Sequence, residues 1–273
     1  MRSVTLDRVP TSIRVVATDL DGTLLDPASQ IPPRTRRALE RAHAAGIVVV
    51  PATGRPPQAL WPVLDGVPFG PYGVCSNGAV VVDIEQRTYL EVSRLAAEAA
   101  VELVGRLRAA VPEIVFAIDD LERFAHETGF FDGVVDWEED LLVVEDVSGH
   151  LAAGCVKLIA RRPGWPAREL ISLIEVHAGD SAGVTTSGLD WVDIGVSGIT
   201  KAHAIERVCA RLGVSADEVV AIGDNHNDLA ILEWAGVSMA PANAVPEVLA
   251  VVDRVLPANT EEGVADLLEE LLA

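Results

Sequence analysis

The chain of 273 residues is poor in cysteine, has no long apolar run and is short of basic residues, and each shortage removes a class of function. Its three cysteines, Cys75, Cys155 and Cys209, stand apart in apolar neighbourhoods without C-x-x-C spacing, so neither a disulfide framework nor a zinc site is indicated. They are expected as small buried hydrophobes in a reducing compartment. No apolar run reaches the ~18 residues of a membrane span. Residues 1–10 carry mixed charges with no apolar segment, so a secretory signal is not expected either. The expected setting is cytoplasmic, with no membrane partner. Lysine and arginine number 21 against 41 aspartates and glutamates, a formal net charge of −20, which argues against nucleic acid because backbone binding depends on clustered cations. An anionic small ligand would need local cations or a metal to reverse the sign of the field within its site. The length supports a full core without covalent staples, in one large or two modest domains.

What is present is organised around Asp19-Leu20-Asp21-Gly22-Thr23, which follows the apolar run Ile13-Arg14-Val15-Val16-Ala17. A β-rich run that releases two carboxylates and a glycine reads as a strand ending in a loop. Like charges that close repel unless a cation or a shared proton offsets them, so the pair is costly as scaffolding and useful for metal-assisted chemistry. On its own the stretch also reads as an Asp-Gly turn with solvated acids.

The pattern repeats along the chain. A helix is expected over 33–45, then a β-branched strand over 47–50 that ends in Pro51-Ala52-Thr53-Gly54-Arg55. A short strand over 72–76 runs into Ser76-Asn77-Gly78, and 79–82 with 88–92 read as a hairpin. From residue 93 the texture changes to a helix over 93–110, strands over 114–118, 141–144, 155–160 and 183–186, and a helix over 167–177. None of these strands ends in a Gly-plus-acid loop, so the stretch is expected to be an inserted module. After residue 190 the first pattern resumes with a strand over 191–194, a helix over 201–212 stopped by Gly213, and an apolar strand over 219–222. That strand ends in Gly223-Asp224-Asn225-His226-Asn227-Asp228, followed by a helix over 229–234, a strand over 236–239 and two more helices. The fold class expected is α/β, a doubly wound, mostly parallel Rossmann-like core with an inserted α/β cap. The boundaries expected are 1–91 and 188–273 for the core and 92–187 for the cap. In such sheets ligands sit outside the carboxyl ends of the strands, where every polar loop named above falls.

Asp19, Asp21, Asp224 and Asp228 supply hard oxygen ligands of the kind Mg²⁺ prefers, and no thiolate stands among them. A metal offsets the repulsion between an attacking carboxylate and a phosphate, so Asp19 can act as nucleophile. Asp21 is placed to protonate the departing oxygen and then to deprotonate the water that hydrolyses the aspartyl phosphate. The Thr53 hydroxyl, the Gly54 N–H and the Lys201 ammonium can hold the remaining phosphate oxygens.

Taken in order, Asp19-Leu20-Asp21-Gly22-Thr23, Thr53-Gly54-Arg55, Ser76-Asn77-Gly78, Lys201 and Gly223-Asp224-x-x-Asn227-Asp228 resemble the haloacid dehalogenase-like superfamily of Mg²⁺-dependent phosphatases, and most closely its Cof-type branch. The resemblance extends to Asn243 and the 259–264 stretch. It implies Asp19 as nucleophile and metal ligand, Asp21 as acid/base with its backbone C=O on the metal, and Asp224 as metal ligand. It further implies Asp228 as ligand or outer contact, Asn227 as a phosphate or outer contact, and Thr53, Gly54 and Lys201 as phosphate binders. Ala202 departs from the branch, which has Gly after its lysine, and this puts the local turn in question.

Arg55, Asn77 and His226 are candidate substrate contacts; Arg55 could equally pair with an acid, and Asn77 and Asn243 could equally be left-handed turn residues. Trp137 and Trp165 could line a pocket, although aromatic residues are more often core, and the run Glu138-Glu139-Asp140 reads as a solvated face. The function expected is hydrolysis of a phosphomonoester of a small metabolite, a sugar phosphate or cofactor phosphate, through an aspartyl-phosphate. Phosphoryl transfer within a sugar phosphate, and a phosphometabolite sensor without turnover, are the alternatives. Nothing in the sequence separates a monomer from a homodimer.

Overall fold

The apolar runs that carry the acidic loops become strands whose burial explains their composition. The computed structural model describes residues 9–10, 12–132 and 141–273. In chain order the first part holds β1 (Val15–Thr18), α1 (Pro33–Ala44), β2 (Val48–Pro51), α2 (Pro57–Leu64), β3 (Tyr72–Cys75), β4 (Val80–Asp83) and β5 (Thr88–Val92). The middle holds α3 (Ala97–Ala110), β6 (Val115–Asp119), β7 (Phe124–Glu127), β8 (Leu142–Val144), β9 (Lys157–Arg161), α4 (Ala167–Ala178), β10 (Gly183–Thr185) and β11 (Val192–Gly195). The last part holds α5 (Lys201–Leu212), β12 (Val219–Ile222), α6 (Leu229–Trp234), β13 (Val237–Pro241), α7 (Pro246–Leu249), β14 (Arg254–Leu256) and α8 (Gly263–Leu271). The chain divides into two units, Met1–Glu91 with Thr200–Ala273, and Val92–Ile199.

In the first unit, five strands in the order β14-β13-β12-β1-β2 form a sheet among the described residues, with parallel pairing at every neighbour. Val15 and Ala17 pack with α5 and α6 residues such as Ile205, Val208 and Ile231, while Val16, which points to the opposite face, is also fully buried. Strands covered on both faces have no polar alternation, which is why β1 and β12 read as unbroken apolar runs. Register sets Thr18 opposite both Ile222 and Pro51, so the loops after β1, β2 and β12 leave the sheet side by side. A second sheet, β3-β4-β5, adjoins it through the parallel bridge between Ala52 and Val74.

The second unit is a sheet in the order β10-β11-β9-β6-β7-β8 with α3 and α4 packed on one face, where Leu103, Leu107, Leu170 and Ile174 meet Phe116, Ile118, Leu158 and Ile194. Here the sequence expectation needs correction. The strand near 191–194 does not resume the first sheet; β11 pairs antiparallel with β9, Val192 opposite Ala160, and the chain returns to the first unit at Thr200 rather than at 188. A short buried strand has the same apolar pattern whichever sheet receives it, so periodicity carries no partner identity.

Three elements escape the sequence reading. Helix α2 is masked by Pro57 and Pro62, although Pro57 stands at its first turn, where no N–H is needed. Strand β7 carries His126 and Glu127 in place of apolar residues, and buried Glu127 accepts from Phe116 N (3.1 Å), Val147 N (3.0 Å) and Arg108. Strand β14 is only three residues long. Trp137 and the Glu138-Glu139-Asp140 run lie outside the described residues. Trp165 is half-buried beneath the Arg162 guanidinium, 3.9 Å from its ring centre. All three cysteines are buried and none is in a disulfide, and burial pushes the Cys155 thiol up to about 12. Among the described residues no helix is long and apolar enough to cross a membrane.

Candidate functional site

Asp19 follows directly on β1, its N–H donating to Ile222 O at 2.9 Å, so the β1–β12 ladder itself fixes the first carboxylate. The Lys201 ammonium, at the start of α5, donates to Asp19 Oδ1 (2.8 Å) and to Asp228 Oδ1 (2.7 Å) and is wholly buried. The other Asp228 oxygen accepts from the backbone N–H groups of Asp224 (3.0 Å) and Asn225 (3.1 Å), which closes the loop after β12 onto itself. Thr23 Oγ1 donates to Asp224 Oδ1 at 2.9 Å, drawing the first loop against the fourth. Gly22, at φ 75°, lets them approach: a Cβ there would stand 2.5 Å from Asp224 Oδ2.

Carboxylate oxygens of Asp19, Asp224 and Asp228 lie within 4.8 Å of one another, all three in buried surroundings. One ammonium faces three acids, so negative charge is in excess. Burial, with Asp228, Asp224 and Asp21 adding repulsion against the pull of Lys201, raises the Asp19 carboxyl well above the usual range. Burial and Asp228 likewise push Asp224 up to about 6. Burial alone would depress the Lys201 ammonium, but Asp19 and Asp228 outweigh it and hold its pKa above the ordinary lysine value. An anionic, oxygen-only donor set with unbalanced charge fits a hard divalent cation such as Mg²⁺. Asn227 Oδ1, buried and without a hydrogen-bond partner among the described residues, lies in the same loop.

The second loop leaves β2 with Thr53 fully buried, its Oγ1 accepting from Arg55 N at 3.0 Å and its N–H donating to Val74 O at 2.9 Å. Gly54 faces the Asn77 amide, 3.0 Å from Asn77 Oδ1 to where a Cβ would stand. Asn77 Oδ1 also accepts from Asn227 Nδ2 at 3.0 Å, so the second, third and fourth loops meet at one amide pair.

Asp21 is placed differently from its neighbour. Its carboxylate, half exposed, lies outside the three-acid cluster and is gripped by both arms of the Arg55 guanidinium, Nε at 2.7 Å, while Arg55 also reaches Ser29 Oγ at 3.2 Å. Of the two readings left open for Arg55, pairing with an acid is the one seen. His226 turns its ring to Asn225 Oδ1 (3.1 Å) and stands 3.9 Å from Glu247. Asn77 is left-handed at φ 58°, but Asn243 is not among the positive-φ residues. Asn243 donates instead to Gly22 O (2.8 Å) and accepts from Asn259 N (2.9 Å), a link between the first loop and the chain end that composition could not show. Ala202 disturbs nothing: it continues the first turn of α5, capped by Thr200 Oγ1 accepting from His203 N at 3.3 Å, and alanine is the best helix former.

Gly78 is the tightest joint. At φ 102° it packs so closely on α5 that a Cβ would stand 2.1 Å from Thr200 O and 2.9 Å from Lys201 N. Gly78→Ala is therefore expected to cost ~3 kcal/mol or more through clash and strain together. Thermal unfolding of the variant checks this; an unchanged melting temperature would refute the packing.

The parallel sheet and the inserted unit define a doubly wound α/β fold, with the acid cluster at the carboxyl ends of β1 and β12. The profile of the haloacid dehalogenase-like hydrolases matches residues 16–268, and the chain belongs to that family. It is similar to the pyridoxal phosphate phosphatase YbhA of Escherichia coli, 29% identical over 264 residues that cover 93% of this chain and 97% of that one. The 5-amino-6-(5-phospho-D-ribitylamino)uracil phosphatase YcsE of Bacillus subtilis is 26% identical over 264 residues, covering 96% and 97%. Among solved structures, SMU.1108c of Streptococcus mutans shares the fold with a TM-score of 0.84 at 24% identity, covering 95% of this chain and 99% of that one.

Proposed function

We propose that the protein is a Mg²⁺-dependent phosphatase that hydrolyses a phosphomonoester of a small metabolite through an aspartyl-phosphate on Asp19. The observation that carries this reading is the pairing of Asp19 with buried Lys201 inside an oxygen-only acid cluster at the end of β1. Lys201 holds one Asp19 oxygen and so orients the other toward a phosphorus atom. Asp19, Asp224 and Asp228, with the Asp21 backbone C=O, would hold the cation, which when bound supplies charge neutralisation for the approach of two anions. Thr53, Gly54, Lys201 and Asn227 bind the phosphate. Asp21 carries the protons, and to do so its carboxyl leaves the Arg55 guanidinium. Relatives named as phosphatases of a pyridoxal phosphate and of a ribityl phosphate support a compact phosphorylated metabolite as substrate. The insertion Val92–Ile199 is assigned the choice among such substrates. Buried cysteines outside any disulfide support a cytoplasmic setting.

A phosphate-release screen over phosphorylated metabolites, with Mg²⁺ and with chelator, tests the reading. Release that requires Mg²⁺ is expected; binding without release on every compound would favour a sensor. The proton role gives a sharper result. Asp21→Asn is expected to slow hydrolysis of alkyl phosphomonoesters by ~10²–10⁴-fold. The first release of nitrophenol from p-nitrophenyl phosphate, a leaving group that needs no proton, should be slowed far less. Equal losses for both in a rapid-mixing experiment would remove Asp21 from the acid role.

A further inference from the structure

The third loop has no part in the chemistry assigned above, yet its backbone is the most strained in the site. Ser76, Asn77 and Gly78 take positive φ in succession, 47°, 58° and 102°. A run of left-handed residues costs energy unless surrounding structure determines it. Here the surroundings are the other loops. Ser76 N donates to Arg55 O at 2.9 Å and Asn77 N to Thr53 O at 3.1 Å, so the turn is stitched to both sides of Gly54. Gly78 packs on the carbonyl of Thr200, directly before Lys201. Between these two anchors the Asn77 side chain accepts from Asn227 Nδ2 at 3.0 Å, from the middle of the short turn His226–Asp228.

We infer that Asn77 is a positioning residue for the phosphate site: its left-handed backbone sets the Thr53–Gly54 loop, and its amide oxygen orients Asn227 beside the acid cluster. Asparagine suits both tasks, because it tolerates the left-handed region and carries an acceptor on a short stem. Leaving Asn227 without this partner frees its amide to turn, and the second Nδ2 hydrogen no longer has a fixed direction. This rests on the phosphatase reading and replaces direct substrate contact as the role of Asn77.

The test is calorimetric binding of inorganic phosphate, with Mg²⁺, to the wild-type chain, Asn77→Gly, Asn227→Ala and the double variant, beside thermal unfolding of each. Glycine keeps the left-handed backbone and removes only the amide. Asn77→Gly is expected to unfold like wild type and to weaken phosphate binding about fivefold to tenfold, the value of one buried hydrogen bond. In the Asn227→Ala background the same change should have no further effect. Wild-type affinity in Asn77→Gly, or losses that multiply in the double variant, would overturn the proposal. So would a failure of Asn77→Gly to fold, since that would make the side chain a requirement of the fold and not of the site. Wild-type protein that binds no phosphate would count against the phosphatase reading itself.

Discussion

Asp19→Asn is expected to lower turnover by ~10⁴-fold or more, the scale seen when a nucleophile is removed from a unit of cooperating groups. The amide is isosteric but is a poor nucleophile, and it cannot form an acyl phosphate. What distinguishes this loss from damage to the fold is the stability that accompanies it. Asp19 is buried and crowded by Asp224 and Asp228, so its charge is opposed by desolvation and by like-charge repulsion. Replacing it by a neutral amide relieves both, and Lys201 keeps Asp228 as a partner at 2.7 Å. The melting temperature of the metal-free variant should therefore match or exceed that of the wild type. Retained turnover, or loss of turnover only together with unfolding, would contradict the assignment.

Lys201→Met should fail in the opposite way. The ammonium is wholly buried and is the cation that both Asp19 and Asp228 face. Removing one member of a buried ionic group leaves uncompensated charge and costs ~3–5 kcal/mol. For a chain of this size each kcal/mol lowers the melting point by ~2–4 °C. Turnover should also fall by ~10²–10³-fold, since a fixed cation at the developing charge is lost. Mg²⁺ supplies the contrast: with the competing ammonium gone, the three acids should bind it at least as tightly as before, so added Mg²⁺ restores part of the stability while turnover stays low. Calorimetric unfolding with and without Mg²⁺ reads this. A variant as stable as wild type without metal would show that the buried pair does not hold the loops together.

The two variants separate what the sequence makes legible from what it does not. Strands β1 and β12 and helices α5 and α6 fall where the apolar runs and punctuation put them, because strands buried on both faces and helices ended by glycine leave local marks; Gly213 closes α5 at φ 64°. The three acids that cluster are legible too, since Asp19 directly follows β1 and Asp224 and Asp228 stand in the loop that follows β12. The destination of β11 was not, because the choice between two sheets is made by partners distant in sequence. Nor could spacing show that Arg55 takes Asp21 out of the cluster, or that Thr23 binds Asp224 from 201 residues away. Those depend on side-chain direction after the loops have met. Strand β7 hides for a related reason: Glu127 sits where a strand pattern asks for an apolar residue, and the N–H groups of Phe116 and Val147 together with the Arg108 guanidinium offset the cost of its burial.

The central claim is that Asp19 itself carries the phosphoryl group, and the direct measurement is an acid-quenched time course with a turned-over phosphomonoester and Mg²⁺, followed by peptide mass analysis. The expected result is a transient phosphate on the peptide containing Asp19, cleaved by hydroxylamine as an acyl phosphate is, and absent from Asp19→Asn. Free phosphate that accumulates with no protein-bound phosphate at any time, or phosphate on a different residue, would contradict the account.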